Sequence, residues 1–150
     1  MNIESQNHRK YFWKKKEDEI GEKIKGKILA EFQSDKTGLS GPILGLLFYT
    51  KNAMYFQTFP RKNWLSSLFR PEESCNREKI LNLTINWQEI RNINFLKTGN
   101  FLINMFLPNN FRILIDCQCN KNSEKLVFTL HCRKDGDELI NFFVKYKNKA

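Results

Sequence analysis

Acid–base or nucleophilic chemistry needs a base within reach of a nucleophile or of a second carboxylate. The chain has two histidines, His8 and His131. His8 falls in a charged N-terminal stretch, and His131 falls on an alternating, strand-like segment beside Cys132. The carboxylates gather in solvated runs. No glycine-rich phosphate cradle and no dinucleotide fingerprint is present. A lone strand histidine lacks the partners a catalytic site requires. The reading is a protein that is not an enzyme and carries no cofactor.

Metal ligation is the next chemistry to weigh. Cys117 and Cys119 form a C-x-C pair, with Cys132 downstream. A turn centred near Asn122 would set Cys117 opposite Val127 and Cys132 opposite Arg112. At a rise of roughly 3.3 Å per residue, Cys132 then lies far from the pair, whereas zinc needs sulfur at about 2.3 Å. The cysteines read as small apolar fillers, and no metal site is expected.

Binding chemistry is better represented. The formal charge is +9 over 150 residues, which implies attraction to something anionic or serves solubility alone. Lys23, Lys25 and Lys27 alternate with Ile24, Gly26 and Ile28, giving a strand with one wet, basic face. Lys36 and Lys51 fall on neighbouring loops. Arg61, Lys62 and Arg70 bracket Trp64, Leu65, Leu68 and Phe69, which share one side of a helical turn. Bases with bulky apolar groups suit an anionic lipid interface; the same four apolar residues would equally serve as a satellite core. Residues 7–22 mix Lys10, Lys14, Lys15 and Lys16 with acids and a Tyr11-Phe12-Trp13 cluster. They read as a short helix or a basic arm whose aromatics pack on the body or touch a membrane surface.

These residues need a frame. Residues 45–59 hold two apolar, aromatic-rich runs around Thr50-Lys51-Asn52, the pattern of an antiparallel hairpin. Residues 34–42 read as a loop, and residues 60–79 break the strand pattern. Further strands are expected at residues 80–85, 90–97, 101–107, 111–117 and 124–132. A final helix is expected from Asp135 as N-cap, with Glu138 three residues on. Leu139, Ile140, Phe143 and Val144 give it an apolar stripe. Lys145, Lys147 and Lys149 suit its C-terminal end.

Three segments carry a family likeness. Gly45, Leu47, Phe48, Tyr49, Thr50, Asn52, Met54 and Phe56 form a hairpin signature. Ile85-Asn86-Trp87-Gln88-Glu89-Ile90, followed by Ile93, forms a strand-and-turn signature. Arg133-Lys134-Asp135 before Glu138-Leu139-Ile140 opens the closing helix. In order and spacing the chain resembles the pleckstrin-homology-like (PH-like) superfold, and within it the GRAM-like group. It departs where Asn86 replaces a proline, and where residues 101–117 add a strand beyond seven. Lys36 alone lies between Ser34 and Pro42, so the tight basic motif of specific phosphoinositide binders is missing.

The expectation is a mainly β fold with a C-terminal α-helix. It is a PH-like, strongly bent antiparallel sheet or split barrel of about seven or eight strands, capped by one helix. Residues 1–22 form the N-terminal arm or short helix, and residues 23–150 the PH/GRAM-like domain. The resemblance and the charge together imply peripheral association with anionic membrane lipid. The residues concerned are Lys23, Lys25, Lys27, Lys36, Lys51, Arg61, Lys62, Trp64, Leu65, Leu68, Phe69 and Arg70. The alternative partner is a protein docked along the sheet edge beside the C-terminal helix. Nucleic acid is not expected, for want of any recognised motif. No run is apolar enough to span a bilayer and no signal peptide opens the chain, so the expected location is cytoplasmic or peripheral on the cytoplasmic membrane face.

Overall fold

The computed structural model describes residues 3–33, 42–58, 81–96, 111–119 and 122–149. Helix α1 (Ile3–Ile20) leads into strands β1 (Gly26–Gln33), β2 (Ile43–Tyr49), β3 (Ala53–Thr58) and β4 (Asn82–Asn86). A single 3-10 turn (Trp87–Glu89) separates β4 from β5 (Ile90–Phe95). Strands β6 (Phe111–Cys119) and β7 (Asn122–Leu130) follow, and helix α2 (Arg133–Lys149) ends the chain. The seven strands form one antiparallel sheet in the order β4-β3-β2-β1-β7-β6-β5. The sheet does not close, so β4 and β5 are its two edges among the described residues.

Alternation decides which side is the core. Ile28, Ala30 and Phe32 of β1, Leu47 and Tyr49 of β2, and Met54 and Phe56 of β3 are buried on one face. So are Ile113, Ile115 and Cys117 of β6, with Phe128 and Leu130 of β7. The sheet is strongly bent. Strands β3 and β7 stand three steps apart in the order, which at about 4.8 Å per step is roughly 14 Å in a flat sheet. Yet the rings of Phe56 and Phe128 lie 5.2 Å apart, and Phe32 touches both. A core built from both halves of one curled sheet follows.

Helix α2 lies against the mouth of this curl. Leu139 and Phe143 are buried, as the stripe predicts. Val144 is exposed instead, and Phe142 and Tyr146 pack on the core in its place. The helix begins at Arg133, two residues before the expected cap, and Asp135 falls within its first turn. At Gly136 α2 packs tightly on the sheet: a Cβ there would stand 2.7 Å from the Phe95 ring.

The β2–β3 turn is built by one hydroxyl. Thr50 Oγ1 accepts from the backbone N–H of Asn52 and of Ala53, both at 3.2 Å. The expected hairpin is present, with Gly45 opposite Thr58 and Tyr49 opposite Met54. The register of β6 and β7 differs from expectation. Cys119 pairs with Asn122, so Cys117 faces Glu124 rather than Val127. The apolar sets decide this: the observed register places Ile113 opposite Phe128 and Ile115 opposite Leu126. A slip by an odd number of positions would set core residues against solvent-facing ones. The expected strand over residues 101–107 lies outside the described residues.

Candidate functional site

Of the predicted lysines, Lys27 stands on the outer face of β1; Lys23 and Lys25 precede the strand, which begins at Gly26 rather than at Lys23 as the alternation predicts. Lys23, Lys25, Lys27 and Lys51 are all exposed. Lys27 pairs with Phe48 across β1 and β2, and the backbone N–H of Lys25 donates to the Tyr49 carbonyl. Lys51 stands on the β2–β3 turn. Lys36, Arg61, Lys62, Trp64, Leu65, Leu68, Phe69 and Arg70 lie outside the described residues.

Helix α1 rests on this face through its aromatics. The Trp13 ring meets the Phe48 ring edge-on at 5.8 Å, and Phe48 stacks on Tyr55 at 5.2 Å. The Lys27 ammonium sits 4.5 Å from the centre of the Trp13 ring, a cation–π contact. Phe12 in turn packs edge-on against Trp13 at 5.1 Å. Burial of Tyr55 and the nearby charge of Glu22 push its phenol above the usual tyrosine range.

The C-terminal end of α1 is fixed by local chemistry. Gly21 adopts φ 75°, the left-handed conformation that glycine tolerates, and its N–H donates to the Glu17 carbonyl at 2.8 Å; this is a common way to end a helix. Glu17 Oε1 accepts from the backbone N–H of Ile24 at 3.0 Å. Glu22 accepts from Asn52 Nδ2 at 2.8 Å, and Asn52 followed by Thr50 holds its carboxyl below the usual range. These bonds tie the helix end to the turn that carries Lys51.

Several lysines on this side are in none of the ion pairs found among the described residues. The ion pairs among the described residues are Lys16–Glu19, Arg133–Asp137 and Lys134–Glu138, with His131–Glu31 added when the imidazole is protonated. Lys10, Lys14, Lys15, Lys23, Lys25 and Lys27 belong to none of them. An open cavity of about 180 Å³ lies between α1 and strands β3 and β4, lined by Lys16, Glu19, Tyr55, Gln57 and Thr84. That is below the roughly 300–1,000 Å³ of small-molecule pockets. The arrangement suits contact with a charged surface better than enclosure of a ligand.

Two features escaped sequence reasoning. Leu29 and Leu44 are exposed on the same outer face. The signal was available, because Leu29 shares the parity of Lys27 on β1. The second is the seating of α2. Phe142 lies 4.9 Å from Tyr49 and Tyr146 lies 6.1 Å from Trp87. These contacts bring the last turns of α2, with Lys145, Lys147 and Lys149, to the end of the sheet where Lys25 and Lys51 stand.

His131 Nε2 lies 4.0 Å from Glu31 Oε1 on the exposed side of the sheet. Among the described residues, no three His, Cys, Asp or Glu are grouped to hold a metal ion. No helix among them is long and apolar enough to cross a membrane.

No protein-family model matches the chain, and no curated protein matches it. Among solved structures, it is similar to the crystal structure of the C-terminal domain of an unknown protein from Leishmania infantum. The TM-score is 0.56 at 16% identity, over 95% of this chain and 99% of that one. At that identity the likeness is one of fold alone.

Proposed function

We propose that this chain is a non-catalytic, PH/GRAM-like binding module that associates peripherally with anionic, phosphate-bearing membrane lipid. The architecture supports the resemblance: an open, bent, seven-stranded sheet with one helix at its mouth is what that superfold implies. The observation that carries the reading is Lys23 and Lys25 just before β1 and Lys27 at its start, all exposed and in none of the ion pairs among the described residues. Each such base near an anionic membrane contributes about 1 kcal/mol. The basic and apolar residues from Arg61 to Arg70 belong to the same reading as a second point of contact. The test is co-sedimentation with phosphatidylserine-containing vesicles at low salt. Pelleting with these and not with phosphatidylcholine vesicles is expected; absence of pelleting would end the reading.

A second reading rests on a separate feature. Among the described residues, strand β5 is a sheet edge beside α2, with Phe95 against Gly136 and Arg133 over the Phe95 ring at 5.6 Å. An extended peptide could add to such an edge. Strand addition would slow hydrogen exchange at β5 amides, and lipid vesicles would not.

A further inference from the structure

We infer that the apolar part of the attachment comes from the outer face of β1 and β2 together with α1. In this arrangement Leu29, Leu44, Tyr11 and Phe12 enter the interfacial layer of an anionic bilayer, while Lys10, Lys14 and Lys27 meet its headgroups. The inference rests on the membrane reading above and assigns its contact surface.

Exposure comes first. Tyr11 is 71% exposed, Leu29 45%, Leu44 42% and Phe12 39%. Antiparallel sheets that face water on one side alternate apolar inside with polar outside. Leu29 and Leu44 break that rule on the wet side. Ile28 and Ala30 beside Leu29, and Gly45 beside Leu44, face the other way and are buried, and neither leucine belongs to the core among the described residues.

Continuity comes second. On β1 and β2 the outer face reads Lys27 opposite Phe48, then Leu29 opposite Leu46, then Glu31 opposite Leu44. Trp13 covers the first of these pairs, and Phe12 packs on Trp13. The exposed leucines are therefore the next steps along the strands from the point where α1 crosses. A tryptophan at the margin of an apolar strip flanked by lysines is the composition of a membrane-interface contact.

Charge chooses the occupant. Beside the strip, α1 and the start of β1 carry Lys10, Lys14, Lys15, Lys25 and Lys27, in none of the ion pairs among the described residues, against Glu17, Asp18, Glu19 and the Glu31 carboxylate, which faces His131. A second copy laid face to face would set these lysines against their counterparts. An anionic headgroup layer complements them.

The experiment measures partition of the whole chain onto phosphatidylserine/phosphatidylcholine vesicles. It compares wild type with the pairs Leu29→Thr/Leu44→Thr and Tyr11→Gln/Phe12→Gln, with circular dichroism and the unfolding midpoint as controls. The leucine pair keeps strand-compatible residues and lies away from the Trp13 contact, so it reports even if the helix pair loosens α1. Wild type should bind, and the leucine pair should bind about tenfold or more weakly, with an unchanged dependence on salt. If wild type binds neither vesicle, the membrane reading itself fails. If wild type binds and both pairs bind equally well, the membrane reading survives and this surface assignment is overturned. A wild-type dimer abolished by the leucine pair, with vesicle binding unaltered, would also overturn it in favour of self-association.

Discussion

The indole N–H of Trp87 donates to the backbone carbonyl of Thr50 across 3.1 Å, joining positions 37 apart in the chain. Its own backbone N–H donates to the Asn52 carbonyl at 3.2 Å. Trp87 is fully buried and its ring meets Phe142, Phe143 and Tyr146 of α2. One side chain thus locks the β2–β3 turn, the end of β4 and the closing helix together. Trp87→Phe leaves a buried carbonyl without its donor and should cost about 1–3 kcal/mol. Trp87→Ala should cost about 3–5 kcal/mol. Urea unfolding measures both, and a Phe variant as stable as wild type would show that the hydrogen bond contributes nothing.

Gly26 lies beneath the Tyr49 ring, its partner across β1 and β2. A Cβ on Gly26 would overlap the Tyr49 ring and hydroxyl. Gly26→Ala should therefore destabilise by about 1–3 kcal/mol through overpacking. On a Tyr49→Leu background the same substitution should cost less, since its clashing partner is gone. Equal costs in both backgrounds, read from a double-mutant cycle, would locate the strain elsewhere.

Glu22 gives stability a sensitivity to acid. The Asn52 side chain, then Thr50, holds its carboxyl below the usual range. A group lowered in the folded state stabilises in full above its unfolded pKa, about 4.3 for glutamate. That contribution is lost as pH falls through the lower folded value. Glu22→Gln should be less stable than wild type at pH 7, and the gap should close on acidification through that window. A gap that stays constant with pH would rule out this linkage.

Trp13 is the anchor of α1. The helix is polar around most of its circumference, and such a helix needs tertiary contacts to persist. Trp13→Ala removes the contacts to Phe48 and Lys27. Hydrogen exchange in α1 should accelerate towards unprotected rates, while amides in β2 and β3 stay protected. Retained protection in α1 would mean that the Glu17 and Glu22 hydrogen bonds suffice to hold it.

Much of this frame is legible in the sequence because local and global preferences agree. Thr50-Lys51-Asn52 between two apolar runs marks the β2–β3 turn, and the Thr50 hydroxyl completes it. Leu126, Phe128 and Leu130 alternate, and Phe128 and Leu130 are buried in β7. The β6–β7 register was harder to read, because both strands are apolar enough to pair in several ways and turn residues alone do not rank them. The stripe of α2 is misjudged at Val144 for a related reason. Periodicity gives a face, but the position of Trp87 turns that face towards Phe142 and Tyr146. Of the candidate site, the exposure of Lys23, Lys25 and Lys27 is readable from their alternation, although β1 takes in only Lys27. The exposure of Leu29 follows from its parity with Lys27, whereas that of Leu44 does not, since leucine on a strand is expected to face inward until the partner strands fix the sides.

The central claim is that Lys23, Lys25 and Lys27 attach the chain to anionic membranes. Its most direct test is the vesicle association constant of wild type and a Lys23→Gln/Lys25→Gln/Lys27→Gln variant, measured across a series of phosphatidylserine fractions. At about 1 kcal/mol per lysine, the variant should bind roughly 100-fold more weakly at the highest fraction, and the two should converge as phosphatidylserine is withdrawn. Equal binding by the two proteins, or wild-type binding indifferent to phosphatidylserine, would contradict the account.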